Sequence, residues 1–516
     1  MKIRFDAALL DRSFSTLKEC SDDPPRSECD PQCDHQCEQF LTIPEMLGDK
    51  QVPGIDLYTF QHTTGLYKQA CGNGYSVVCN PIGTGHVAVL DEDAADLLER
   101  FRFPASLASL HLEGEVHEQA SAAVSLFYEL GFLENAAQTS AISRQEKSET
   151  LSAWLHVTNA CNLRCDYCYL DKTPESMTDD TTKRAVDAIF RSAVKHHFKM
   201  VYLRYAGGEA SLQSERVIAL HDYALTLAQE HNIGLRASIL SNGVFLAHRT
   251  IDRLKDRHIG IMISLDGIGS HHDRQRPFVN GRGSFQFVDR TITQLLAKKL
   301  VPNISVTVSL RNLEGLPELI EYILERDMPF SLNYYRDNDC STHIHDLQFT
   351  DGQMIDAMRS VFALIERNLP QRSLLGSLID KANLNRPHSR TCGVGHSYLV
   401  IDQKGGIAKC HADIKRTITT IATDDPLLMI RSDPQGVQGY TVHEKEGCRS
   451  CSWRHWCSGG CPLLTYRATG RSDVKSPYCN IYKALFPDVL RLEALRLLKY
   501  VPSYPLLHTQ EVATLP

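Results

Sequence analysis

The sequence contains no apolar run of the roughly 18–20 residues needed to span a bilayer. Its opening stretch, MKIRFDAALLDRSFSTLKECSDD, returns to charge before a secretory-type apolar segment can develop. Neither sign of charge dominates: 55 Lys and Arg stand against 62 Asp and Glu, a formal net charge of -7. That balance argues against the polybasic footprint of non-specific nucleic-acid binding and against an acidic tail. The expectation from these absences is a soluble cytoplasmic protein with no nucleic-acid and no membrane partner. What is plentiful is cysteine, with 17 residues. Disulfide frameworks belong to short secreted chains, so clustered cysteines in a chain of 516 residues point to metal or cluster ligation instead.

Along the chain, residues 1–50 are rich in Cys, Asp and Pro (CSDDPPRSECDPQCDHQCEQF) and show no apolar period, as a loop or small metal-organised segment would. Residues 51–135 read as strands with Gly and Asn turns (YTFQHTTGLYKQACGNGYSVVCNP), then as helices (DEDAADLLERF, EQASAAVSLFYELGFL). A polar linker follows at 136–150. From 151 to 345, AWLHVT, MVYLRYA, LRASILS, IGIMISLD, NISVTVSL and FSLNYY alternate with helical spacing such as TTKRAVDAIFRSAVKHH. Strands each followed by a helix predict a parallel α/β sheet, curled into a partial (β/α)6 barrel with its ligands at the strand ends. A bridging helical region at 346–391, a cysteine-rich domain at 392–485 and a C-terminal helix and tail at 486–516 complete the expected organisation.

The chemistry concentrates behind the first strand. CNLRCDYCY, at 161–169, places Cys161, Cys165 and Cys168 at CxxxCxxC spacing. Three thiolates leave one position open on a metal centre, and an open position is where a reactant binds. A zinc site completed elsewhere, for example by His156, and three unrelated cysteines are the alternatives. With Tyr167 between the last two cysteines, the motif resembles the signature of the radical S-adenosylmethionine (radical SAM) superfamily. That resemblance implies a [4Fe–4S] cluster whose open iron chelates SAM, cleaved on reduction to a 5′-deoxyadenosyl radical, with a reductant such as flavodoxin or ferredoxin as partner. YAGGEA is similar to the family's GGE motif, which makes Glu209 the SAM-amine ligand beside Gly207 and Gly208. Ala210 stands where the family commonly has proline, a change expected to loosen the turn. SNG, with Ser241 and Asn242, and SLDG, with Ser264 and Asp266, resemble the strand ends that meet SAM's ribose and methionine parts.

In the last third, Cys392, Cys410 closing GGIAKC, and Cys448, Cys451, Cys457, Cys461 and Cys479 resemble the SPASM extension of these enzymes, which binds two auxiliary [4Fe–4S] clusters. The resemblance assigns Cys448, Cys451, Cys457 and Cys479 to one cluster, and Cys392, Cys410 and Cys461, with a fourth ligand unassigned, to the other. A double zinc ribbon is the alternative, because spacing alone does not identify the metal. Cys29, Cys33 and Cys37, with Cys20 upstream and His35 between, fit a further metal site and exposed thiols equally well. Cys71, Cys79 and Cys340 read as buried small apolar residues. HDRQRPFVNGRGSF is similar to a stretch of anaerobic sulfatase maturases, yet His411 follows Cys410 where those enzymes carry a basic aspartate. His411 and Asp413 are the candidate proton acceptors.

Residues 58–133 resemble the small winged-helix domain that captures leader peptides in radical SAM peptide maturases, by strand addition to a three-stranded sheet. The resemblances together imply an enzyme that oxidatively modifies or cross-links side chains of a ribosomally made peptide through a thioether, C–C or C–O bond. The alternatives are a radical SAM/SPASM enzyme acting on a protein residue, in the manner of sulfatase or quinoprotein maturation, or on a small molecule, and a non-catalytic iron–sulfur scaffold.

Overall fold

The computed structural model describes residues 1–6, 55–137 and 148–504. Cys20, Cys29, Cys33, His35 and Cys37, and most of the expected linker, lie outside the described residues. Among the described residues, seven strands precede the linker: β1 (Ile3–Phe5), β2 (Thr59–His62), β3 (Tyr67–Gly72), β4 (Tyr75–Cys79), β5 (Val87–Leu90), β6 (Ala105–Ser106) and β7 (Leu133–Asn135). They form an antiparallel sheet in the order β1-β5-β4-β3 and a small one in the order β6-β2-β7. Helices Glu92–Glu99 and Gly114–Glu129 accompany them, the first capped by Asp91, whose carboxylate accepts from the Ala94 amide at 3.0 Å.

The central sheet has nine strands. Six are parallel and in sequential order: β8 (Thr150–Thr158), β9 (Met200–Gly207), β10 (Gly234–Ser241), β11 (Gly260–Ser264), β12 (Asn303–Val308) and β13 (Phe330–Tyr334). They are the six strands expected from the apolar runs. Successive side chains in a strand point to opposite faces. Leu151, Ala153, Leu155 and Val157 on β8, and Val201, Leu203 and Tyr205 on β9, are buried in the main apolar core with the helices. The alternate positions carry Trp154, His156, Tyr202 and Arg204, so the two faces of this sheet differ in chemistry.

The Asp179–Lys195 helix shows how the sequence writes each crossover. Thr178 caps it by accepting from the Thr181 amide at 3.1 Å, Asp179 and Asp180 complement the dipole in its first turn, and Ala185, Val186, Ile189 and Ala193 make its buried stripe. The chain leaves it through His197 at φ +56°.

Because β13 does not return to β8, the barrel stays open. The free edge of β8 is taken instead by β14 (Tyr398–Ile401), pairing parallel with residues 152–155, followed by antiparallel β15 (Gly406–Ala408) and β16 (Thr419–Thr420). The cysteine-rich region is therefore hydrogen-bonded into the same sheet as the first cysteine strand. The final helix runs unbroken over Cys479–Tyr500, across the expected boundary at 485.

Two expectations give way here. The first fifty residues were expected to hold no regular element, but Ile3–Phe5 is a strand, with Ile3 and Phe5 buried, held on the edge of β5. A polar linker suggested few contacts across it, yet β5 is buried on both faces. Ala88 and Leu90 pack with the domain's own helices, while Val87 and Val89, with Val77 and Cys79 of β4, join the main core against the C-terminal helix. Tyr67 packs on Trp453 with ring centroids 4.8 Å apart, and Arg496, buried with Glu493, reaches Asp6 at 2.9 Å. Val89→Ala should cost about 2 kcal/mol in urea denaturation, the loss of two buried methyl groups and the cavity they leave. A chain beginning at residue 138 should melt well below the full chain and bind a hydrophobic dye along its uncovered C-terminal helix.

Candidate functional site

The sulfurs of Cys161, Cys165 and Cys168 are carried by the loop after β8, at the C-terminal ends of the parallel strands, where α/β folds place ligands. Strand β9 holds that loop closely. The Gly208 amide donates to the Thr158 carbonyl at 2.7 Å and the Glu209 amide to the Ala160 carbonyl at 2.9 Å. A Cβ on Gly207 would stand 2.3 Å from the Thr158 oxygen, and one on Gly208 would stand 2.4 Å from the Ala160 oxygen. The two glycines are thus needed for backbone against backbone, not only for approach to a ligand.

Glu209, 2% exposed, caps the short helix after it: Oε1 accepts from the Ser211 amide at 3.0 Å and Oε2 from the Asn242 amide at 2.6 Å. This double grip keeps the turn tight at Ala210, which is fully buried, so the missing proline loosens nothing. Asn242 extends the network, with Nδ2 donating to Asn162 Oδ1 at 2.7 Å and lying 3.9 Å from Cys161 Sγ. Ser241 Oγ accepts from the Gly243 amide. Glu209 and Asn242 thus meet beside Cys161. Ser264 ends β11 and is half-buried.

Tyr167 and Asp266 are brought together in another way. The Tyr167 hydroxyl donates to Asp266 Oδ2 at 2.6 Å and accepts from Arg276; Asp266 Oδ1 accepts from the Thr307 amide at 2.7 Å. Burial pushes the Asp266 carboxyl up, and Arg276, with Tyr167 and the Thr307 amide, opposes that push. Asp266 is wholly buried and holds the Tyr167 hydroxyl of the cysteine loop. The Asp266 amide donates to His272 Nδ1 at 3.2 Å, and His272 Nε2 meets Ser284 Oγ at 3.1 Å. That is the pattern of a neutral histidine, and burial followed by the Arg276 charge holds His272 well below its usual pKa. Sequence reasoning missed Arg276 and His272, although HDRQRPF contains both.

Cys448, Cys451, Cys457 and Cys479, which the resemblance assigns to one cluster, line one pocket together with Lys475 and Lys483. Cys410 and Cys461 join an apolar cluster that also contains Trp154, Tyr398, Cys168 and Tyr169, so this group abuts the first cysteine trio. Cys392 is the exposed member of its set. Thr391 Oγ1 donates to the Gly460 carbonyl at 2.8 Å, and Lys445, 2% exposed, donates to the Ser458 carbonyl at 2.8 Å; together they clasp the turn between Cys457 and Cys461.

His411 stacks on Trp154 at 4.4 Å and meets the Tyr398 hydroxyl at 3.1 Å through Nδ1. Burial, with the charges of Lys381, Arg204 and Arg336, pushes it down to about 3, which makes it a poor proton acceptor. Burial instead pushes the Asp413 carboxyl up, against the pull of Arg467 and Arg416. Cys79 lies in the core as expected, and Cys71 is half-buried against it. Cys340 is not core: its thiol lies 3.5 Å from Asp171 Oδ1.

Sulfurs on a single zinc stand about 2.3 Å from the ion. Among the described residues, no three Cys, His, Asp or Glu side chains converge tightly enough for one ion. His156 Nε2 is tied to Asn159 Oδ1 at 2.7 Å, while its buried Nδ1 has no hydrogen-bond partner among the described residues. Sulfur-only donor sets fit iron–sulfur clusters, which take cysteine thiolates. Burial pushes the Cys165, Cys410 and Cys457 thiols up to about 12, so ligation by a positively charged metal centre is what would make thiolates of them.

Residues 155–323 match the Radical SAM superfamily. The PqqA peptide cyclase of Bradyrhizobium diazoefficiens is 22% identical over 346 residues, covering 64% of this chain and 86% of that protein. The antilisterial bacteriocin subtilosin biosynthesis protein AlbA of Bacillus subtilis is 23% identical over 280 residues, 50% of this chain and 54% of that protein. Among solved structures, native anSMEcpe with bound AdoMet and Cp18Cys peptide has a TM-score of 0.55 at 18% identity, covering 67% of this chain and 99% of that one. This last likeness is one of fold.

Glu209→Gln should do more than remove a charge. One carboxamide nitrogen would have to face the Ser211 or the Asn242 amide, donor against donor. The variant should lose about 1–3 kcal/mol of SAM affinity by calorimetry and show a lower melting temperature, while its iron content persists. Unchanged SAM affinity would remove Glu209 from the binding site.

Proposed function

We propose that this chain, an enzyme whose residues 155–323 form a radical SAM domain, matures a ribosomally made peptide by oxidative modification or cross-linking of its side chains. The observation that carries this reading is the apolar cluster shared by Cys168 of the first trio and Cys410 and Cys461 of the second set. A substrate group at the strand ends then lies between a radical source and an electron acceptor, the arrangement that an oxidative bond-forming reaction needs. The names of two relatives, a peptide cyclase and a bacteriocin biosynthesis protein, support a peptide substrate.

In this reading Cys161, Cys165 and Cys168 hold a [4Fe–4S] cluster with SAM, which when bound supplies a 5′-deoxyadenosyl radical. Glu209, Ser241 and Asn242 hold SAM's polar groups, while Asp266 acts through Tyr167. Cys448, Cys451, Cys457 and Cys479 hold one auxiliary [4Fe–4S] cluster, and Cys392, Cys410 and Cys461 hold another, as sinks for the electron that leaves the substrate. Asp413 takes the substrate proton, since its raised pKa makes it a stronger base than an ordinary carboxylate, whereas the depressed His411 serves as a stacked wall. A flavodoxin or ferredoxin supplies the reducing electron. The small N-terminal domain receives the peptide's leader. β1 already fills the edge of β5, so strand β3, at the opposite end of that sheet, is where an extended segment adds.

The test uses anaerobically reconstituted protein, SAM, a reductant and the peptide encoded beside this gene, with product read by mass spectrometry. A modified core peptide is expected. Removing the leader should lower the yield by about 10²–10⁴-fold, the loss of effective concentration at the site, while uncoupled SAM cleavage continues. Equal yields would overturn leader docking. SAM cleavage without any peptide product would favour a different substrate class.

A further inference from the structure

The turn between Cys457 and Cys461 is where the two later cysteine sets meet. Thr391, the residue before Cys392, has Oγ1 2.8 Å from the Gly460 carbonyl and 3.1 Å from the Ser458 carbonyl. Lys445, three residues before Cys448, reaches the same turn: Nζ donates to the Ser458 carbonyl at 2.8 Å. Its stem lies so close to Gly459, at φ +77°, that a Cβ there would stand 2.5 Å from Lys445 Cδ. One ammonium therefore sits where the segments carrying Cys392, Cys448, Cys457 and Cys461 come together.

Lys409 shows how this protein buries a lysine elsewhere. At 4% exposure its Nζ pairs with the Asp433 carboxylate at 3.0 Å and donates to the Asp433 and Gln435 carbonyls at 2.7 and 3.0 Å. Lys445 is more deeply buried, at 2%, and has three N–H donors. Among the described residues it has one acceptor, the Ser458 carbonyl, and no carboxylate within ion-pair distance. A buried charge without a counter-charge is costly. The cysteines around it are the remaining source of negative charge. Burial pushes the Lys445 ammonium below its usual pKa, and charge on Cys448, Cys392, Cys457 and Cys461, two cysteines from each set, opposes that push.

We infer that Lys445 is a positioning residue shared by the two later cysteine sets, whose single ammonium balances the thiolates of both and makes both sites easier to reduce. The inference rests on reading these sets as auxiliary cluster ligands. When the substrate loses one electron, one of these sites gains it, and with it one unit of negative charge. Net charge and nearby positive groups set the potential of such a site, and a cation lodged between two of them favours the added electron on either.

The experiment is a redox titration of the reconstituted holoenzyme followed by electron paramagnetic resonance. The trio's signal is identified as the one that shifts on adding SAM, and the others report the later cysteines. In Lys445→Met, which keeps the length of the side chain and removes its charge, Thr391 Oγ1 stays within reach of the Ser458 carbonyl. The ratio of reduced to oxidised site at a fixed solution potential should fall about tenfold at both auxiliary sites, equivalent to 59 mV for one electron, while the trio titrates as in the parent protein. Unmoved auxiliary potentials with full iron content, or a shift confined to one set, overturn the inference. Should Lys445→Met fail to hold iron, Lys445→Arg decides. Iron retained at both sets in that variant supports the inference, because only the charge has been kept. Iron lost there as well makes Lys445 a space-filling residue and overturns it. Failure of the parent protein to take up iron on the later cysteines would instead sink the reading on which the inference rests.

Discussion

The approach of β9 to the turn leaving β8 is the constraint on which the site depends. At Gly207 and Gly208 the two backbones come so close that a single methyl group on either glycine would strike a carbonyl oxygen of Thr158 or Ala160. Overpacking at a site where the neighbour is backbone rather than a flexible side chain cannot be relieved locally. The hydrogen bonds made there fix where the cysteine loop begins, and the next residue, Glu209, uses both carboxylate oxygens to fix the following strand end. One short segment therefore sets the relation between three strands, and the loop's other side is fastened by the antiparallel segment containing Arg276. The nine-residue loop is thus clamped from both sides, with Leu163 buried in the main core.

Positive charge recurs beside the cysteines. The backbone register sets Arg276 opposite Cys165, the Lys172 ammonium lies 2.7 Å from Cys168 Sγ, and Lys445 is enclosed with Ser458 between Cys457 and Cys461. A cation as buried as Lys445 is costly unless something negative accompanies it. Several thiolates bound to a cluster are such a companion. The same sites without thiolates hold sulfurs whose ionisation burial resists, so the arrangement makes sense as one electrostatic unit and not as cysteines and lysines taken separately.

The chain's parts are also less separable than their composition suggests. β14 extends the barrel sheet from the edge of β8, and the antiparallel sheet of the N-terminal domain packs on the Cys479–Tyr500 helix, whose first residue lines the four-cysteine cavity. A peptide held on the N-terminal sheet would bear on the same helix that carries Cys479. The helix thereby joins the four-cysteine set to the N-terminal sheet.

The sequence by itself determined the six parallel strands, because runs such as VYLRYA and SVTVSL are short, rich in β-branched and aromatic residues, and bounded by turn residues. The spacing of the first cysteine trio was legible as well, because it is a local property that survives without knowledge of the fold, whereas the division of the seven later cysteines was given by resemblance. Tertiary structure alone decided what lies opposite what. The pairing of Arg276 with Cys165 spans more than a hundred positions and has no periodic signal. The burial that encloses Asp266 and depresses His411 depends on strands, loops and charges distant in sequence. The polarity of a linker said nothing about docking, since the contacts that matter are made by Val87 and Val89, whose apolar alternation fits a sheet buried on one face or both. Only the presence of the C-terminal helix on the second face selected between those possibilities, because burial is a property of the assembled surfaces and not of either segment alone.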